Sequence, residues 1–188
     1  MTGANAAEGS AARNAFELAI EQANGAGKLP YTLQLVAMDD ESKSDSAAAA
    51  AQRLSADKAV VAIGGFWNNS CAQAAIPICQ KAETPLLIWG ANGLGLTSAD
   101  NNPVVSRICP TLAQESAILG KLTPSLGVSQ AFILSDASVA SQANASSFQE
   151  SFQNSGGVVV GSQEVAAGTS DFSAIITAMR ESGADLIF

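Results

Sequence analysis

Apolar positions along the chain switch repeatedly between a helical spacing and short continuous runs. Phe16, Ala19, Ile20 and Ala23 recur at the intervals of one helix face, and Asn24-Gly25 supplies the stop. Residues 31–38 (YTLQLVAM) then read as a strand ending at Asp39-Asp40. An alanine-rich helix over 46–54 leads to the apolar run 59–63, a buried strand closed by Gly64-Gly65. Ser70 opens another helix, with Ala72, Ala75, Ile76 and Cys79 on one face; residues 85–88 and 104–108 are the next strands. The alternation continues with a helix marked by Ile118, Leu119 and Leu122, a strand at 131–134 and a helix carrying Phe148 and Phe152. Residues 158–165 are extended, Phe172, Ile175, Ile176 and Met179 share a helix face, and 185–188 is again a strand. Continuously apolar strands separated by helices predict an α/β fold, with parallel sheets covered by helices on both faces.

Such a fold ordinarily begins with a strand, yet Met1 to Asn5 read as a loop followed by a helix, and the last residues, Leu186-Ile187-Phe188, lie inside a strand. Both ends read as cuts, so the chain is expected to be an internal portion of a longer protein.

Composition narrows the chemistry. The chain is 47% hydrophobic but only 5% aromatic, so its core must be built mainly from Ala, Val, Leu and Ile. A net charge of −8 repels phosphate backbones and anionic lipid heads, so no nucleic-acid or membrane-surface partner is expected. Histidine is absent, which removes Ser-His and Cys-His nucleophile pairs and His-based zinc sites. No catalytic residues, metal or cofactor are therefore expected. Ser55-Ala56-Asp57-Lys58 fits S-x-x-K but has neither S-D-N nor K-T-G to accompany it, and it reads as a solvated connection. Asp39-Asp40 beside Glu41 read as solvated or capping carboxylates. Gly90 to Gly95 is G-x-x-G-x-G rather than the dinucleotide fingerprint. Cys71, Cys79 and Cys109 form no C-x-x-C pair and read as three buried free thiols, with a bridge between Cys79 and Cys109 left open. No apolar run reaches the roughly eighteen residues of a membrane span.

In open α/β sheets ligands bind outside the carboxyl ends of the strands. Two loops have the composition for it. Phe66-Trp67-Asn68-Asn69-Ser70 leads into a helix whose first amides, with short hydroxyl and amide side chains, suit a carboxylate. Ser70 could instead simply cap that helix. The second loop is Trp89-Gly90-Ala91-Asn92-Gly93, which could equally be a turn without ligand duty. Both tryptophans, Trp67 and Trp89, fall in these loops, where they wall an apolar pocket or pack beneath the loop.

Several of these stretches resemble one family. Thr2-Gly3-Ala4-Asn5-Ala6-Ala7-Glu8-Gly9 resembles the T-G-x-x-A-x-x-G loop of the leucine/isoleucine/valine-binding proteins, the type I periplasmic binding proteins. Asp39-Asp40 with the run to Ala50-Ala51-Gln52-Arg53-Leu54, residues 63–77 (IGGFWNNSCAQAAIP) and residues 85–97 (PLLIWGANGLGLT) resemble later motifs of that family, in order. So do Asp171-Phe172-Ser173 and Gly183-Ala184-Asp185-Leu186-Ile187. The resemblance implies a two-lobed architecture, with the N-terminal lobe over 1–111, part of the second lobe over 112–188, and the first strand and the end of the second lobe missing. It further implies the extracytoplasmic solute-binding component of an ABC importer, periplasmic or lipid-anchored, with the importer's membrane permease as partner. An amino acid or related small carboxylate would be bound between the lobes by hinge closure. Asn69 and Ser70 would hold the family's paired serine positions, the Ala91 carbonyl and Asn92 would receive a ligand's ammonium and carboxylate, and the loop at Ser138 would close over it. The chain departs from the pattern at Glu8, where an aromatic residue is common, at Ala140 and Ser141, and at Leu112, where an acidic residue is frequent; the last weakens the case for an ammonium and makes an amine-free acid a rival. The alternatives are an extracellular sensor module, the effector domain of a repressor, which the acidic charge disfavours, or an α/β enzyme.

Overall fold

A computed structural model describes residues 1–97, 103–166 and 168–188. The chain divides into two compact units, Met1–Cys109 and Pro110–Phe188. In the first, α1 (Ala6–Gly25), α2 (Ser44–Ala56) and α3 (Asn69–Lys81) accompany the strands β1 (Ile63–Gly64), β2 (Leu86–Ile88) and β3 (Val105–Arg107). The strands are parallel in the order β1-β2-β3, with Ile63 opposite Leu86 and Leu86 opposite Val105.

Small side chains decide how this unit packs. Ala47 and Ala51 of α2 and Ala72 and Ala75 of α3 are fully buried with Cys71 and Cys79, against Leu86 and Ile88 of the sheet. Alanines let two helices lie close while adding little side-chain entropy cost. The opposite side of β1 meets α1: a Cβ on Gly64 would stand 2.5 Å from the Phe16 ring, so only glycine admits that contact.

Two predicted strands are not formed as expected. Residues 31–38 are extended but join no ladder, and the run 59–63 enters the sheet only at Ile63. The reason is the lack of a partner. A strand exists through its neighbour's hydrogen bonds, and between these segments lies a cavity rather than backbone. Val36 and Val61 are consequently 55% and 71% exposed.

The second unit comprises α4 (Leu112–Leu122), a 3-10 turn (Thr123–Leu126), β4 (Gln130–Asp136), α5 (Val139–Asn154), β5 (Val158–Val165), α6 (Ser173–Glu181) and β6 (Leu186–Ile187). Its sheet is parallel in the order β5-β4-β6, with one register shift where Ala131 faces Val159 and Phe132 faces Gly161. Alternate residues of β4 serve opposite faces. Ala131 and Ile133 pack with Phe148 and Phe152 of α5, while Phe132 packs with Ile175 and Met179 of α6. Helices thus cover both faces, as the apolar runs predict. Thr111 opens α4 with a capping box to Gln114, each accepting the other's backbone N–H. Gly120 lets α4 lie directly on α5, since a Cβ there would stand 2.5 Å from the Phe148 carbonyl oxygen. Among the described residues no helix is long and apolar enough to cross a membrane.

Candidate functional site

Because β1 and β2 are adjacent and parallel, the loops leaving their carboxyl ends emerge side by side. They are tied together. The amides of Gly90 and Ala91 donate to the Phe66 carbonyl at 3.2 and 2.8 Å, and the Gly93 amide donates to Asn69 Oδ1 at 2.8 Å. Gly90 lies against the Trp67 ring, where a Cβ would come within 2.6 Å. Trp67 and Trp89 face each other with ring centroids 5.4 Å apart and planes tilted by 35°. Trp67 remains 43% exposed, so the pair offers an accessible aromatic surface rather than a buried prop.

The amino end of α3 stands beside this pair. Its N-cap, Asn68, makes no side-chain cap, and the ladder begins only with the Ala72 amide on the Asn68 carbonyl. The amides of Asn69, Ser70 and Cys71 therefore meet no acceptor among the described residues. Ser70 is exposed and does not cap its own helix. Asn69 acts as the strut between loops, its carbonyl oxygen spent on Gly93. Burial pushes the neighbouring Cys71 thiol up from its ordinary pKa, with the Asp40 charge adding to the effect.

In the second loop Ala91 is fully buried and its carbonyl is already engaged. It accepts from Arg107 Nη1 at 3.4 Å and from the Cys109 thiol at 3.5 Å, while the Gly93 carbonyl accepts from Arg107 Nη1 at 2.8 Å. Asn92 is half-buried, with no side-chain hydrogen bond among the described residues. Arg107 is the residue that sequence reasoning missed. Its signal was there: a lone cation at the end of an apolar strand in an acidic chain needs acceptors, and the nearest are loop carbonyls on the neighbouring strand.

Ser138 belongs to the second unit, where it caps α5: its hydroxyl oxygen accepts from the Ser141 amide at 3.2 Å and its own amide donates to Asp136 at 2.8 Å. The Ser138 hydroxyl and amide hold the Asp136 carboxyl below the usual carboxylate range. All three cysteines are free thiols; Cys71 and Cys79 are buried, whereas Cys109, expected to be buried, is half-buried, with its thiol donating to the Ala91 carbonyl. Among the described residues no cluster of His, Cys, Asp or Glu could hold a metal ion.

The profile of the periplasmic binding protein family matches residues 1–188. A Leu/Ile/Val-binding protein homologue from Brucella abortus is 28% identical over 141 residues, covering 74% of this chain and 35% of the relative. A solute-binding protein of an ABC transporter from Rhodopseudomonas palustris, solved with 3,4-dihydroxybenzoic acid, superposes with a TM-score of 0.74 at 26% identity over 100% of this chain and 52% of the other. A branched-chain amino acid transporter substrate-binding protein from Streptococcus pneumoniae, solved with isoleucine, gives a TM-score of 0.75 at 27% identity over 99% of this chain and 53% of the other. The chain thus spans between about a third and a half of the lengths of these relatives. Proteins of this kind bind solutes for ABC transporters and are not enzymes. The match over the full 188 residues, on a parallel α/β framework with paired loops at the strand ends, makes this chain a member of the periplasmic binding protein family.

Proposed function

We propose that this chain carries the first ligand-docking surface of an extracytoplasmic solute-binding protein serving an ABC importer, and that its solute is a small carboxylate without an α-amine. The observation that carries the second half is Arg107. Its guanidinium lies on the Ala91 and Gly93 carbonyls, the position where a ligand's ammonium would otherwise be received. Two unit charges about 5 Å apart repel by about 3 kcal/mol at an effective dielectric near 20, so an ammonium there is disfavoured. A carboxylate is favoured by the same cation, by the three open amides of α3 and by the positive end of its helix dipole. Asn92 supplies a free carboxamide donor, and the Trp67–Trp89 pair suits a flat apolar body. The relatives divide between isoleucine and a dihydroxybenzoic acid, so the choice rests on this chain's own residues.

The importer's membrane permease is the partner of this reading, and the location is periplasmic or lipid-anchored outside the cell membrane. The test is calorimetric titration of the full-length protein with matched pairs of ligands: benzoates and branched aliphatic acids against the corresponding α-amino acids. Binding of the acids at least tenfold tighter than of the amino acids is expected. Tighter binding of the amino acids would overturn the amine-free assignment, and binding of neither class would overturn the solute-binding reading.

A further inference from the structure

The sequence contains two Asn-Gly dipeptides, each preceded by alanine: Ala23-Asn24-Gly25 and Ala91-Asn92-Gly93. The pairing has chemistry of its own. With no Cβ on the second residue, its backbone nitrogen can close on the asparagine's Cγ and form a five-membered ring. The fold treats the two dipeptides differently. Asn24 is held at both ends of its carboxamide: its Nδ2 donates to the Leu33 carbonyl at 2.9 Å and its Oδ1 accepts from the Leu33 amide at 2.8 Å. It lies in the last turn of α1, and Gly25 is still helical. A fixed side chain on a fixed backbone cannot bring Cγ over the next nitrogen.

Asn92 has neither restraint. Residues 91–93 belong to no helix or strand, Asn92 is half-buried, and its carboxamide meets no partner among the described residues. The Gly93 amide donates to Asn69 Oδ1 at 2.8 Å. That bond runs along N–H in the peptide plane, whereas Cγ must approach from the face of the plane, so the tie positions the nitrogen without shielding it. The same tie favours glycine after Asn92, since a Cβ on Gly93 would stand 2.9 Å from Asn69 Cγ. Arg107, bonded to the carbonyls of Ala91 and Gly93, places a cation beside residue 92, which favours a negative charge forming there.

We propose that Asn92 is a self-modification site, at which the loop converts its own carboxamide to a carboxylate with water as the co-reactant. The Gly93 nitrogen bonds to Asn92 Cγ, the Cγ–Nδ2 bond breaks, and the displaced nitrogen leaves as ammonia with the proton from Gly93. Water then adds to either carbonyl of the ring and breaks that carbon's bond to the ring nitrogen, which takes back a proton. The products are aspartate or isoaspartate at position 92, with no change in oxidation state. The consequence for binding rests on the carboxylate-docking reading: the new group accepts but cannot donate, and it repels an anionic solute, so each converted molecule docks its solute more weakly.

The experiment incubates the 188-residue chain at mildly alkaline pH and follows it by peptide mass spectrometry, with fragmentation to assign each conversion to a residue. The expected result is conversion at Asn92 roughly tenfold or more faster than at Asn24 in the folded chain, with isoaspartate among the products. In guanidinium chloride concentrated enough to unfold the chain, both dipeptides are equally free and their rates are expected to converge. Equal rates in the folded chain, or conversion at Asn24 ahead of Asn92, overturn the proposal. So does an Asn92 that stays intact when folded. A difference that persists in the unfolded chain overturns it too, since local sequence rather than the fold would then set the rates. No solute enters these measurements, so failure here says nothing against carboxylate docking, and failure of the calorimetric titration says nothing against this chemistry.

Discussion

At the scale of single residues, the site turns on which atoms are already committed. Asn69 Oδ1 is held by the Gly93 amide and the Ala91 carbonyl by Arg107 and Cys109, whereas Asn92 and the first amides of α3 meet no partner among the described residues. Asn92→Ala is expected to weaken a bound acid by about 1.5–3 kcal/mol, the range for a hydrogen bond to a charged group, measured by calorimetry with the fold checked by circular dichroism. Arg107→Met is expected to do two things in the same assay: weaken acids and narrow their advantage over the matched amino acids. Weakening of both classes by an equal factor would mean that Arg107 only braces the loop. That the two loops lie at strand ends, each with its tryptophan, was legible from the apolar runs that precede them; that they are tied to each other through Asn69 and Gly93 was not. Arg107 was legible only as a cation in need of acceptors, because which carbonyls it meets is set by the neighbouring strand, and pairing across strands leaves no mark in local spacing.

At the scale of elements, two stretches with similar sequence signals met different fates. Residues 158–165 form β5 because β4 supplies the ladder, whereas 31–38, equally apolar, form none because among the described residues no strand lies beside them. Strand propensity measures fit to a half-buried pleated surface, and without that surface it has no effect. Helices were more legible than strands, since each closes its own hydrogen bonds and needs neighbours only for its apolar face. What they need there is specific. Phe148 is fully buried, stacked on Phe188 at 4.1 Å and on Phe152 at 5.3 Å, so Phe148→Ala is expected to destabilise the second unit by about 3–5 kcal/mol in urea unfolding. Gly120→Ala is expected to cost about 1–3 kcal/mol through the opposite fault, a methyl driven into the α5 backbone. A neutral result there would mean that α4 and α5 can part without loss.

At the scale of the whole molecule, charge sets how stability follows pH. Four carboxylates are held below their ordinary pKa by hydrogen bonds: Asp39 by the Glu41 amide and then Thr2, Asp136 by Ser138, Asp171 by Ser173, and Asp185 by the amides of Ser129 and Gln130. A lowered folded-state pKa means that the unfolded chain binds protons more readily, so the stabilisation is complete above the unfolded value and is lost as pH falls through the folded one. That places the loss below about pH 4, where free aspartate titrates. A net charge of −8 works in the opposite sense, since protonation relieves self-repulsion. The two effects share the same carboxylates, and with no histidine present few other groups change charge between about pH 5 and 8. The thermal midpoint is therefore expected to be flat across that interval and to fall below about pH 4. Asp185→Asn should lower the neutral-pH midpoint and make the acid fall shallower, because it removes one of the groups whose protonation drives it. A midpoint that climbs on acidification to pH of about 3.5 would show that relief of repulsion outweighs these hydrogen bonds, and that the turns at Asp136, Asp171 and Asp185 hold without their charges.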